Sequence, residues 1–157
     1  MANDGGLIAT LAQWMVDVLA SLEHESKSVF KTTALWKHQV AATKAGIEAF
    51  PRYAPFAFVG RQDIDTAREG GKDLRQIPGF SILIGVVSKE DGVAHWGNDT
   101  NLGTSKIRDL IIPLFDKKRP DDAEIKCDEF YYAGEYEVVD LPKIHCIQMN
   151  FEVSQLT

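Results

Sequence analysis

Residues 80–87 (FSILIGVV) are the most apolar run in the chain. A run of this length suits a strand better than a helix. Because it is apolar at both alternating positions, it describes a central strand covered on each side. Whatever the chain folds into must therefore place layers on both faces of a sheet. The next stretch, 89–103, carries His95, Trp96, Asn98, Asp99 and the glycines Gly92, Gly97 and Gly103. It reads as an irregular loop and is the first place to look for chemistry. A helix then opens at Thr104, the expected N-cap, and buries Ile107, Leu110, Ile111 and Leu114. Pro113 sits late in that helix, and Lys117, Lys118 and Arg119 follow where positive charge favours the helix dipole.

The other elements follow from period and punctuation. Leu7, Leu11, Trp14, Val18 and Leu22 recur at helical steps over 7–23. A short strand is expected before Trp36, and a helix with a small-residue face over 38–50, stopped by Pro51. Residues 54–59 (APFAFV) read as a strand closed by Gly60. The last forty residues read as strands over 123–132, 136–139 and 143–153, with Ala133-Gly134 and Leu141-Pro142 as turns. In the final strand Ile147, Met149, Phe151 and Val153 alternate with Cys146, Gln148, Asn150 and Glu152. The expected architecture is α+β: one domain over 1–157, an antiparallel or mixed sheet with about three helices packed against it.

Residues 61–75 (RQDIDTAREGGKDLR) hold four acidic and four basic side chains, with few apolar anchors. Such a stretch cannot bury enough surface to offset its own ordering, which predicts a long mobile loop. Its Arg61, Asp63, Arg68, Lys72 and Arg75 are candidate contact residues. Tyr131, Tyr132 and Tyr136 crowd one hairpin, where some must face away from the core, and Trp96 joins them as a candidate partner contact.

No chemical motif survives its spacing test. His95 with Asp99 suggests a base and its orienting acid, but no nucleophile sits in a recognisable elbow. His24, His38, His95 and His145 are scattered, and His145 and Cys146 point to opposite strand faces, so no metal site is expected. The three glycines match no phosphate-loop spacing. No catalytic, cofactor-binding or metal-binding residues are expected. Seventeen basic against twenty-three acidic residues give a net charge of -6. That disfavours a polyanion-binding module and suits at most a loose contact with DNA. Two cysteines, no zinc spacing, no secretory leader and no membrane-length apolar run point to a soluble protein in a reducing cytoplasm.

A Gln-x-Pro-x-Phe entry (Arg75-Gln76-Ile77-Pro78-Gly79-Phe80-Ser81) leads into the apolar strand, a helix of the form IRDLIIPLF follows, and IQMNFEVSQ closes the chain. In this order the chain resembles the small tail-terminator-like family of Mu-like contractile-tailed phages and prophages. It departs from that family's arginine- and glycine-rich habit before the helix, where it has Ala94-His95-Trp96-Gly97. The resemblance implies a tail-terminator-like fold and a non-enzymatic virion protein assembled in the bacterial cytoplasm. Such subunits form a ring, typically a hexamer, that caps the tail tube and sheath and joins the tail to head–tail connector proteins. Competing expectations are a connector or baseplate subunit, and a small cytoplasmic enzyme or ligand-binding domain using the His95 loop.

Overall fold

The computed structural model describes residues 4–36, 50–61, 64–67, 74–77, 79–88, 90, 92–98, 101–121, 125, 127–141 and 144–153. Helix α1 (Asp4–Ala20) places Leu11, Met15 and Leu19 on one fully buried stripe. It ends three residues before the expected 23, because the chain turns straight into a minimal hairpin. That hairpin pairs β1 (Glu23–His24) with β2 (Lys27–Ser28) through Glu25 and Ser26, both at positive φ. Then come β3 (Thr32–Leu35), a 3-10 turn (Phe50–Tyr53), β4 (Phe56–Arg61), β5 (Ile64–Ala67), β6 (Leu74–Ile77) and β7 (Gly79–Val87). A short helix α2 (Val93–Trp96), the main helix α3 (Thr104–Phe115), β8 (Phe130–Leu141) and β9 (Ile144–Val153) follow among the described residues. The helix expected over 38–50 lies outside the described residues, save Phe50 at the start of the 3-10 turn.

The class is α+β. Among the described residues five strands form a mixed sheet in the order β3-β4-β7-β9-β8, with β3 and β4 parallel and the other pairs antiparallel. Strand β7 lies at its centre, pairing β4 from Phe56↔Gly85 to Arg61↔Phe80 and β9 from Gly79↔Glu152 to Val87↔Ile144. Its side chains serve two layers, as the apolar run requires. Phe80, Ile82, Ile84 and Val86 pack under α1 and α3 with Ala57, Val59, Ile147, Met149, Phe151 and Val153. The opposite face carries a smaller aromatic cluster of Phe56, Phe58, Ile144 and Cys146, flanked by Trp36, Tyr53, Leu83 and Val87. On the helix face Phe115 meets Trp14 and Phe151 edge-on, each at 5.6 Å between centroids.

Three expectations change. Part of the stretch read as a loop over 61–75 is a two-stranded hairpin of β5 and β6, pairing Ile64↔Ile77 through Ala67↔Leu74. These pairs keep the register of the ladder that ended at Arg61↔Phe80, three residues further along each strand. Backbone pairing inherited from two core strands outweighs the stretch's poor apolar content. Ala133-Gly134 is a bulge and not a turn: β8 runs unbroken from Phe130 to Leu141, with register shifts at Tyr132/Gly134 and Glu137/Val139. Gly134, at φ 106, absorbs the extra residue and lets the strand carry on. Of the strand expected over 123–132, the described residues before Phe130 lie outside β8. Finally, the N-cap of α3 is Gly103, not Thr104. Thr104 is the first helical residue and its hydroxyl turns inward. The helix continues past the exposed Pro113 to Phe115. There Lys117, at φ 62, donates its backbone N–H to the Phe130 carbonyl at 2.6 Å and starts the path into β8.

Candidate functional site

Strand β9 runs apolar on its helix face from Val153 back to Ile147, and the next position on that face is His145. It is 2% exposed, so its two ring nitrogens need partners inside the protein. Nδ1 lies 2.5 Å from Thr104 Oγ1 at the start of α3. Nε2 lies 3.3 Å from Glu137 Oε1 on the neighbouring strand β8. Thr104 is itself 1% exposed, which explains why its hydroxyl serves the imidazole rather than capping the helix.

His95 covers this group from α2. Its ring stacks on His145 with centroids 4.2 Å apart and planes 12° apart, and Trp96 stacks on its other side at 4.2 Å and 15°. Trp96 is the outermost ring, 72% exposed. The loop holding α2 against α3 is closed by close backbone approach. A Cβ on Gly103 would land on the backbone of Gly97 and His95, and one on Gly97 would meet Gly103 N at 2.7 Å and Asn101 O at 2.9 Å. Gly97 also sits at φ 81, a conformation that disfavours side chains. Asn98 and Asn101 lock the turn, with Asn98 N donating to Asn101 O at 2.9 Å and Asn101 N to Asn98 Oδ1 at 2.8 Å. Glycine and asparagine in 89–103 thus serve to seat His95 over His145.

A cavity of about 240 Å³ opens beside the stack, lined by His95, Thr104, Arg108, Glu135, Glu137 and His145 among others. Its cation is already matched. Arg108 donates through Nε to Glu135 and through Nη1 to Asp109 at 2.8 Å, and the Glu135 bond holds the guanidinium pKa above its usual value. Tyr132 donates its hydroxyl to the same Glu135 at 2.7 Å, and its ring packs on Phe151. Burial first, then the Glu135 bond, pushes the Tyr132 phenol up to about 12. A larger groove of about 830 Å³ runs between the β1–β2 turn and the Gly97–Gly103 loop, with Trp96, Lys106 and Ile107 on its wall.

The candidate contact residues separate in space. Tyr131 and Tyr136 lie on the face of β8 away from the helices, 38% and 49% exposed, with Val138 at 45% beside them. Tyr132 points the other way, into the Arg108–Glu135 group. Arg61 is exposed at the end of β4, and the backbone of Arg75 lies in β6. Asp63, Arg68 and Lys72 lie outside the described residues, as does Asp99. The histidines judged scattered include two that stack. No spacing rule could pair residues 95 and 145, yet a histidine on the apolar face of β9 was a signal that a buried polar partner existed. Cys146, on the opposite face, is buried, and burial pushes its thiol up to about 12.

No protein-family model matches the chain, and no curated protein matches it. No helix among the described residues is long and apolar enough to cross a membrane.

Proposed function

We propose that this chain is a non-enzymatic assembly subunit, a phage or prophage tail terminator that forms a homo-oligomeric ring, a hexamer by its resemblance. In this reading the ring caps the tail tube and sheath and offers the joining surface for head–tail connector proteins, with DNA passing loosely through the lumen. The observation that carries the reading is the strip of Tyr131, Tyr136 and Val138 exposed along the outermost strand of the main sheet. Exposed tyrosines on a rigid strand supply contact area at low ordering cost, and tyrosine is enriched at interfaces. Two bulges interrupt β8, so its edge is poorly suited to extending the sheet into a neighbour. Contact through the tyrosine face fits better, and a closed ring needs a heterologous pair of such surfaces. The β5–β6 hairpin offers a second surface at the far end of the β4–β7 ladder.

Negative-stain electron microscopy and mass measurement of the purified chain test this. Rings are expected, and replacing Tyr131 and Tyr136 together with lysine is expected to disperse them while the fold is kept. A strict monomer at high concentration, with tail tubes present, contradicts the proposal. A connector or baseplate position uses the same chemistry, and a density map of the particle separates the three. The ligand-binding alternative draws on a different observation, the His95–His145–Glu137 group.

A further inference from the structure

We propose that His95, Glu137 and His145 form a binding site for a single divalent transition-metal ion of the zinc class. Its ligands are none of the tyrosines of the assembly surface, although Tyr136 borders the adjoining cavity, so metal binding is tested on the ligands and the ring on the tyrosines. The three residues come from α2, β8 and β9, and their ligand atoms all lie within 4.8 Å of one another. Two imidazole nitrogens and one carboxylate oxygen are a donor set that zinc accepts, with water in a fourth position.

Three features fit an ion at this place. First, the Nε2–Oε1 separation of 3.3 Å is long for a charge-assisted hydrogen bond, which closes to about 2.8 Å. It matches the roughly 3.3 Å edge between two ligands of a tetrahedral ion with bonds of about 2.0 Å. Second, Thr104 holds Nδ1 of His145. In the Nδ1–H tautomer the hydroxyl accepts from the ring and the Nε2 lone pair faces Glu137, the form that holds a cation; in the Nε2–H tautomer the ring donates to Glu137 instead. Outer partners of this kind fix the tautomer and aim of metal-bound histidines. Third, the adjoining cavity gives room for water at the open position, and its one cation, Arg108, is engaged by Glu135 and Asp109.

The third ligand must move. The His95 and His145 rings are 12° from parallel, and their in-plane lone pairs do not converge on one point. His95 therefore turns out of the stack to ligate. Among the described residues the exposed Trp96 stacks on its outer side, so the turn gives up that stack and the cover over His145. Metal capture is accordingly coupled to loss of the Trp96–His95 stack, which a merely structural histidine pair would not produce.

The test uses the whole purified chain, stripped with chelator. Zn²⁺ is titrated by calorimetry, and Co²⁺ is followed by its visible absorption. One Zn²⁺ per chain is expected, with a tetrahedral Co²⁺ spectrum that Zn²⁺ displaces. His95→Ala and Glu137→Gln, both on the accessible side, are each expected to weaken binding at least about tenfold. Zn²⁺ is expected to change Trp96 emission in the parent chain and not in His95→Ala. Absence of stoichiometric binding up to about 1 mM metal, an affinity scarcely worth 4 kcal/mol, overturns the proposal. So does binding of unchanged strength in the His95→Ala/Glu137→Gln double variant.

Discussion

Gly85 is the position where the two-layered sheet can be tested most sharply. It lies opposite Phe56 across the β4–β7 ladder, and a Cβ built on it would fall among the Cζ and Cε atoms of the Phe56 ring. That ring is 1% exposed and stacks at 4.8 Å on Phe58, which in turn packs on Trp36 and Tyr53. It cannot slide away without displacing the whole second cluster. Alanine normally gains a little over glycine in a strand by restricting the unfolded chain. Here overpacking costs about 1–3 kcal/mol, and expulsion of the ring loses about 1.5–3 kcal/mol of burial. Gly85→Ala is therefore expected to lose about 2 kcal/mol. That leaves a domain of ordinary stability folded. With a urea slope of about 2 kcal/mol per molar, the midpoint falls by about 1 M. Phe56→Leu removes the ring atoms that collide, so Gly85→Ala in that background is expected to cost less than about 0.5 kcal/mol. Equal costs in both backgrounds, or a neutral Gly85→Ala in the parent chain, refute the packing argument.

Three further outcomes are expected. Gly103→Ala drives a methyl into the backbone of His95 and Gly97, which cannot rotate aside; it is expected to cost about 1–3 kcal/mol and to unstack His95 from His145, read from their ring-proton shifts in NMR. Normal histidine shifts in a fully stable variant contradict this. Cys127 and Cys146 are buried, and desolvation raises both thiols, so a disulfide reagent at pH 8 is expected to label them only as fast as the chain opens. Rapid labelling of Cys146 in the native protein contradicts its burial. The Cys146 thiol and the Tyr132 phenol each rise to about 12 from ordinary values of 9.0 and 10.0. Their raised folded values favour the protonated forms, so their contribution to stability is whole below those ordinary values and is lost as pH climbs to about 12. The melting temperature is expected to fall across that window, and a flat profile contradicts it.

The sheet's spine was legible because apolar patterning is local. The run at 80–87 announced a strand covered on both faces, and the alternation in 143–153 separated its two sides. The helix near Thr104 was equally plain, but its cap was not. Whether a threonine caps its own helix or turns to a histidine forty-one residues away is decided by tertiary contact. The β5–β6 hairpin was hidden for the opposite reason. Its charged sequence argues for a loop, and only the register carried over from Arg61↔Phe80 accounts for its pairing. Gly134 looked like a turn because a glycine in a bulge and a glycine in a turn use the same positive φ. The His95–His145 stack was illegible in spacing, since it is assembled by a loop closing on the end of a strand. Only the parity of His145, on the side of Ile147 and Met149, carried a hint. The tyrosines divided by the same rule: Tyr131 and Tyr136 point outward, while Tyr132 is held by Glu135.

In the proposed function the outward face of β8 is a contact surface between copies of this chain. Mass measurement over a concentration series, run on the parent chain and on the Tyr131→Lys/Tyr136→Lys variant, addresses it most directly. Closed oligomers that grow in with concentration are expected of the parent chain, and a folded monomer of the variant. A parent chain that stays monomeric throughout, even with tail tubes added, or a variant that assembles as the parent does, contradicts it.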